Sequence, residues 1–128
     1  MSKILLIDDE ENARVLTAHF LELAGHEVVM AENGIKGLET ADAETFDLII
    51  TDIIMPEKEG LETIIDLRKK NADLPILAIS GGGILASEEL LEMALSVGAS
   101  AALCKPFNGK SLLEAISRAM RHHSREAS

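Results

Sequence analysis

At 128 residues, with 47% hydrophobic and 27% charged, the chain is long enough for one cored domain and too short for two, and its composition excludes a disordered protein. A net charge of −10, from 22 acidic against 12 basic residues, repels nucleic acid and anionic membrane over most of the surface, so neither is expected as a direct partner. No apolar run approaches the roughly 20 residues needed to cross a bilayer, and the one cysteine, Cys104, cannot form an internal disulfide, which fits a cytoplasmic location.

In chain order, the first strand is expected at Lys3–Asp8, so early that no leader is expected before it. A helix over Glu10–Ala24 follows, with Ala13, Leu16, Phe20 and Leu23 on the face expected to meet the core and Gly25 as its stop. Glu27–Ala31 reads as a second strand; it is short and opens on a charge, the pattern of a sheet edge. The remaining strands are expected at Phe46–Asp52, Leu74–Ser80 and Ala101–Lys105. The remaining helices are expected at Gly34–Glu44, Gly60–Asn71, Ala86–Val97 and Lys110–His122, the last capped by Asn108. Residues 123–128 read as a short polar tail after a domain spanning 1–122, with no further domain expected.

Ile4-Leu5-Leu6-Ile7, Leu48-Ile49-Ile50 and Ile76-Leu77-Ala78-Ile79 are continuous rather than alternating apolar runs. Such strands are buried on both faces, as in a parallel sheet covered by helices. Parallel strands joined by right-handed helical crossovers predict a doubly wound α/β domain.

In an open sheet of this kind, ligands gather beyond the carboxyl ends of the strands. There the sequence places Asp8 and Asp9, Asp52, Ser80, and Lys105-Pro106. Each has a plainer reading alone: Asp9 as a helix cap, Asp52 and Ser80 as turn residues, Lys105 as a solvated charge. Together they pose an electrostatic problem. Two unit charges about 5 Å apart repel by roughly 3 kcal/mol at an effective dielectric near 20, and Lys105 offsets only one of three carboxylates. A hard divalent cation such as Mg²⁺ would offset the rest. The same pocket suits a phosphoryl group, with Asp52 as nucleophile, Ser80 as hydrogen-bond donor and Lys105 as counter-charge.

These positions carry a resemblance to the response-regulator receiver domains of two-component signalling, extending from Lys3 to about Arg121. It rests on Ile4-Leu5-Leu6-Ile7-Asp8-Asp9-Glu10, on the Asp-x-x-Met-Pro-x-x-x-Gly spacing of Asp52 to Gly60, and on Gly98-Ala99 followed by Lys105-Pro106-Phe107. The resemblance implies a flavodoxin-like (βα)5 sandwich with strand order 2-1-3-4-5. It implies Asp52 as phosphoacceptor and Asp9, Asp52 and the Ile54 backbone carbonyl as ligands of Mg²⁺ or Mn²⁺, with Asp8 acting through metal-bound water. Lys105, before a cis Pro106 bond, would bind the phosphoryl group, and Ser80 would be the switch hydroxyl. The implied donor is a phosphohistidine on a sensor histidine kinase or phosphotransfer protein. The domain would be no enzyme in the ordinary sense, catalysing only its own phosphorylation and slow dephosphorylation. The output face would be the fourth helix, fifth strand and fifth helix, through a partner or a weak homodimer.

Two departures stand out. Ala102 occupies the place of the family's aromatic switch residue, and Gly81-Gly82-Gly83 follows Ser80, predicting a mobile loop. Two other functions are weighed. A Mg²⁺-dependent phosphohydrolase of the haloacid-dehalogenase type needs an aspartate where Ile54 stands. A phosphate-independent pseudo-receiver does not need the full acidic set with Ser80 and Lys105. Cys104 is expected to be packed rather than reactive, His122-His123 to be a helix end rather than a metal site, and the glycine triplet lacks the ending of a nucleotide-binding loop.

Overall fold

The apolar runs become the middle layer of the molecule. A computed structural model describes residues 2–53, 60–80 and 87–127, apart from the side chains at 87, 88 and 122–127. Its strands are β1 (Lys3–Ile7), β2 (Glu27–Ala31), β3 (Leu48–Asp52), β4 (Ile76–Ser80) and β5 (Ala101–Cys104). Its helices are α1 (Glu11–Leu23), α2 (Gly34–Ala43), α3 (Gly60–Lys70), α4 (Ser87–Val97) and α5 (Gly109–Ala127). The five strands form one parallel sheet in the order β2-β1-β3-β4-β5, so β3 lies at the centre and β2 is an edge, as its opening charge predicts.

Successive side chains of a strand point to opposite faces, and the continuous runs divide accordingly. Ile4, Leu6, Leu48, Ile50, Leu77 and Ile79 pack with Ala18 and Leu21 of α1 and Leu112, Ala115 and Ile116 of α5. Leu5, Ile7, Ile49, Ile76 and Ala78 pack on the opposite side with Ile64 and Leu67 of α3 and Ala94 of α4. Helix ends follow local chemistry. Asn33 and Asn108 accept from the backbone N–H groups of Lys36 and Ser111, and Gly25 takes the left-handed φ of 93° that ends α1.

Three expectations are corrected. The face of α1 that meets the sheet is Thr17, Ala18 and Leu21, whereas Leu16 and Leu23 are 57% and 72% exposed and Ala13 and Phe20 only partly covered. Two overlapping stripes share the helical period; the smaller side chains face the sheet, and the larger ones flank it. The segment read as a polar tail continues α5 to Ala127, since nothing between His122 and Ala127 is a glycine or proline that would stop it. Finally, β3 and β4 begin two residues later than expected, although Phe46 and Leu74 are still buried. The glycine triplet 81–83 lies outside the described residues.

At the sheet end remote from the strand carboxyl termini, one guanidinium joins several segments. Arg68 Nε and Nη2 donate to the Gly98 carbonyl at 3.1 and 2.6 Å, and Nη1 donates to the carbonyls of Asn71, Ala72 and Leu74 at 3.2, 3.1 and 2.6 Å. Nearby, Ser100 and Ile76 exchange hydrogen bonds, and the Lys3 N–H donates to Asp47 at 2.7 Å.

At the other end, Gly60 starts α3 directly against β3. Its N–H donates to the Ile53 carbonyl at 2.7 Å, and a Cβ at this position would lie 2.5 Å from Ile53 Cα and closer still to the Asp52 carbonyl oxygen. These are backbone atoms of the central strand and cannot give way cheaply. Gly60→Ala is expected to destabilise the domain by about 1–3 kcal/mol, read from urea denaturation followed by circular dichroism; unchanged stability would show that α3 can slide away from β3.

Candidate functional site

The crossovers bring the polar residues that follow the apolar runs to one edge. Asp8 leaves β1 with its N–H bonded to the Ala31 carbonyl at 3.1 Å, Asp52 ends β3, Ser80 ends β4, and Lys105 follows β5 with its N–H on the Ser80 carbonyl at 2.8 Å. Carboxylate oxygens of Asp8, Asp9 and Asp52 all lie within 4.8 Å of one another. Asp8 and Asp52 are buried, at 4% and 7% exposure, while Asp9 is exposed. Ser80 is fully buried, one step beyond Ile79, the register partner of Asp52. The peptide bond before Pro106 is cis, as the resemblance implies. The Ile54 carbonyl lies outside the described residues.

Lys105 bridges the two buried acids, with Nζ 3.1 Å from Asp52 Oδ2 and 3.4 Å from Asp8 Oδ2. Burial alone would lower its pKa, but the charge of Asp52, its hydrogen bond and the further charge of Asp8 outweigh that and hold the ammonium above its usual range. One cation against three carboxylates leaves the pocket with an excess of negative charge. Its donors are all oxygen, the set that Mg²⁺ and Mn²⁺ prefer. Asp8 is engaged on both oxygens: its Oδ1 accepts from the Glu10 N–H at 3.0 Å, and its Oδ2 faces Lys105. Asp9 is the solvent-facing member, open to an incoming ion.

Two residues of this edge were not singled out from sequence. Glu10, not Asp9, is the N-cap of α1, accepting from the Ala13 N–H at 3.1 Å, which leaves Asp9 outside the cap. Arg14 Nη1 donates to the Asp8 carbonyl at 2.8 Å and so ties α1 to the acidic turn. A charged residue one turn before Thr17 and Ala18, on the inward stripe of α1, is the signal that could have revealed it. Cys104, expected to be packed, is exposed, because β5 is the outer strand at that edge of the sheet. Ala102 is partly buried beside α4.

Residues 4–117 match the family described as the response regulator receiver domain. The chain belongs to that family. The receiver domain is 34% identical over 122 residues to the transcriptional regulatory protein CpxR homolog of Haemophilus influenzae, a match covering 94% of this chain and 51% of that protein. It is also 34% identical over 108 residues to the alkaline phosphatase synthesis transcriptional regulatory protein PhoP of Bacillus subtilis, covering 83% and 43%. The chain thus spans about half the length of these relatives. Among solved structures, the CheY-like receiver domain protein of Methanospirillum hungatei superposes with a TM-score of 0.86 at 30% identity, covering 98% of both chains. The chemotaxis response regulator CheY4 of Vibrio cholerae superposes at 0.83 with 35% identity, covering 93% and 98%. The strand order 2-1-3-4-5 and the flavodoxin-like sandwich expected from sequence are those of the receiver domain observed. Among its described residues no helix is long and apolar enough to cross a membrane.

The bridge makes a sign-specific prediction. Because the folded pKa of Lys105 is raised above 10.5, the pairing stabilises the fold fully below that value and is lost as pH climbs through the folded pKa. Lys105→Gln is therefore expected to lower unfolding free energy by about 1–3 kcal/mol at neutral pH, with the gap to wild type closing in strongly alkaline solution. Urea denaturation across that range checks it; a gap that widens with alkalinity would contradict the assignment.

Proposed function

We propose that this receiver domain is a phosphorylation switch: Asp52 accepts a phosphoryl group from a phosphohistidine of a sensor histidine kinase or phosphotransfer protein in the cytoplasm. The observation that carries the reading is Lys105 Nζ at 3.1 Å from Asp52 Oδ2 inside a trio of carboxylates. A carboxylate oxygen of Asp52 attacks phosphorus. The P–N bond to the donor imidazole breaks, its electron pair returns to the imidazole nitrogen, and an acyl phosphate remains on Asp52. Lys105 moves its pairing from the Asp52 carboxylate to a phosphoryl oxygen, and the buried Ser80 hydroxyl donates to another. Asp9, Asp52 and the Ile54 backbone carbonyl would hold Mg²⁺ or Mn²⁺, with Asp8 in an outer role, and the ion when bound neutralises phosphoryl oxygens. Asp8, anchored by the Glu10 N–H, keeps Lys105 in the pocket. Slow hydrolysis of the acyl phosphate resets the switch, and the phosphorylated domain controls a partner or output domain.

Beside Lys105 the surface is apolar. Leu16, Phe20, Pro106 and Phe107 line a hollow of about 360 Å³ that also includes Lys105, and Leu16 is 57% exposed. A donor protein docking there would cover the face of α1 that the fold leaves unburied.

Incubation of the domain with Mg²⁺ and acetyl phosphate, followed by intact-mass analysis, is expected to give one phosphoryl adduct on wild type and none on Asp52→Asn. No adduct with any donor would favour the phosphate-independent alternative; rapid turnover of assorted phosphate esters would favour the phosphohydrolase. Leu16→Glu is expected to slow transfer from a phosphorylated kinase fragment by about tenfold and leave transfer from acetyl phosphate unchanged. Equal slowing of both would place the defect in the site rather than in docking.

A further inference from the structure

Of the three clustered acids, Asp9 is the one whose side chain is held least: it is exposed, and its carboxylate has no hydrogen bond or ion pair among the described residues. Its place is set by the backbone on either side. Before it, the Asp8 N–H donates to the Ala31 carbonyl at 3.1 Å, and the Asp8 carbonyl accepts from Arg14 Nη1 at 2.8 Å. After it, the Glu10 N–H donates to Asp8 Oδ1 at 3.0 Å. The carbonyl of Asp8 and the N–H of Asp9 belong to one planar peptide unit, so the guanidinium fixes the plane from which Asp9 departs. Arg14 is itself firmly based, one turn before the buried Thr17 and Ala18, and Ala18 packs in the core with Leu6 and Leu21. Glu32, just after β2, shares a hollow with Arg14 and pairs with Lys36. Its carboxyl is held below the usual range first by Lys36 and in smaller part by Arg14, so part of the guanidinium charge is balanced there.

Resting on the phosphoacceptor reading with its divalent cation, we infer that Arg14 is a positioning residue for Asp9: by holding the Asp8 carbonyl it keeps the Asp9 carboxylate within reach of Asp52, as a shared cation requires. Its contact is with the backbone of Asp8, not with the reacting atoms. Two effects of the guanidinium oppose each other, and their signs separate positioning from charge. As a nearby positive charge it repels a cation, so its removal would tighten the site. As the group that fixes a ligand's backbone it keeps Asp9 preorganised, so its removal would loosen the site. Outer partners of this kind are worth about tenfold or more in metal affinity. The hydrogen bond to Asp8 is direct, whereas the charge is partly balanced by Glu32 and screened by solvent at a part-exposed position, so positioning dominates.

Binding of Mn²⁺ to the whole domain, read from the electron paramagnetic resonance of the free ion, tests this without phosphorylation. Arg14→Gln is expected to weaken Mn²⁺ binding about tenfold, and Arg14→Lys, which keeps the charge and one donor, about threefold. In labelling by acetyl phosphate, the Mg²⁺ concentration that gives half the maximal rate should rise about tenfold in Arg14→Gln, while the rate at saturating Mg²⁺ falls by less than about threefold. Urea denaturation establishes that each variant is folded in the assay; should Arg14→Gln not fold, the loss in Arg14→Lys decides instead. A merely structural arginine would lower stability and leave Mn²⁺ affinity where it is. That result overturns the proposal, as does tighter Mn²⁺ binding by Arg14→Gln or no binding by wild type. Asp52 labelling is read by intact mass on the same samples. Labelled wild type with equal Mn²⁺ affinity in wild type and Arg14→Gln discards the role of Arg14 alone. Weaker Mn²⁺ binding by the variant, with no labelling of wild type, discards the phosphoacceptor reading alone.

Discussion

Three carboxylates at one sheet edge are tolerable because Lys105 stands between the two that are buried. The ammonium reaches Asp8 and Asp52 from the loop after β5, although β5 and β1 are not neighbours in the sheet. Its charge therefore spans three strand ends and ties the outer strand to the centre of the site. The pairing is also incomplete, because one cation cannot balance three anions. The remaining negative charge would favour a further cation, and neutralised oxygens around a carboxylate are what the proposed phosphoryl transfer would require.

The fold positions this chemistry with little local specialisation. The central strand β3 is paired on both sides and buried along its whole length, so Asp52 is presented from the most constrained backbone in the domain. Gly60 lets α3 start in contact with that strand, and Arg14 and the Glu10 cap hold the acidic turn against α1. Asp52 is thus firmly placed at the end of the central strand, with Ser80 ending β4 beside it and Lys105 reaching in from the segment after β5.

Much of this was legible in the residues. Continuous apolar runs specified buried parallel strands, and the polar residues closing those runs marked the functional edge, because strand ends in such a sheet converge by topology. The inward face of α1 was not legible. Helical periodicity supports two adjacent stripes, and the large side chains Leu16 and Leu23 proved to flank the contact rather than form it. The end of α5 was misjudged because a polar segment without glycine or proline looks the same as tail or as helix. The exposure of Cys104 depends on β5 being outermost, a fact of three-dimensional order that no local pattern states. Arg14 was hidden because its partner is a backbone carbonyl, which leaves no mark in the sequence.

The Arg68 guanidinium, bonded to four carbonyls around the chain segments that enter β4 and β5, has a mechanical meaning. It fastens the lower pole of the sheet with neutral acceptors whose strength does not vary with ionisation or phosphorylation. The upper pole is held by a lysine whose two partners are carboxylates, so that contact would change on the proposed modification of Asp52. One pole is thus fastened by contacts to neutral acceptors and the other by contacts to charged ones, so a change of charge at the pocket would act on the second.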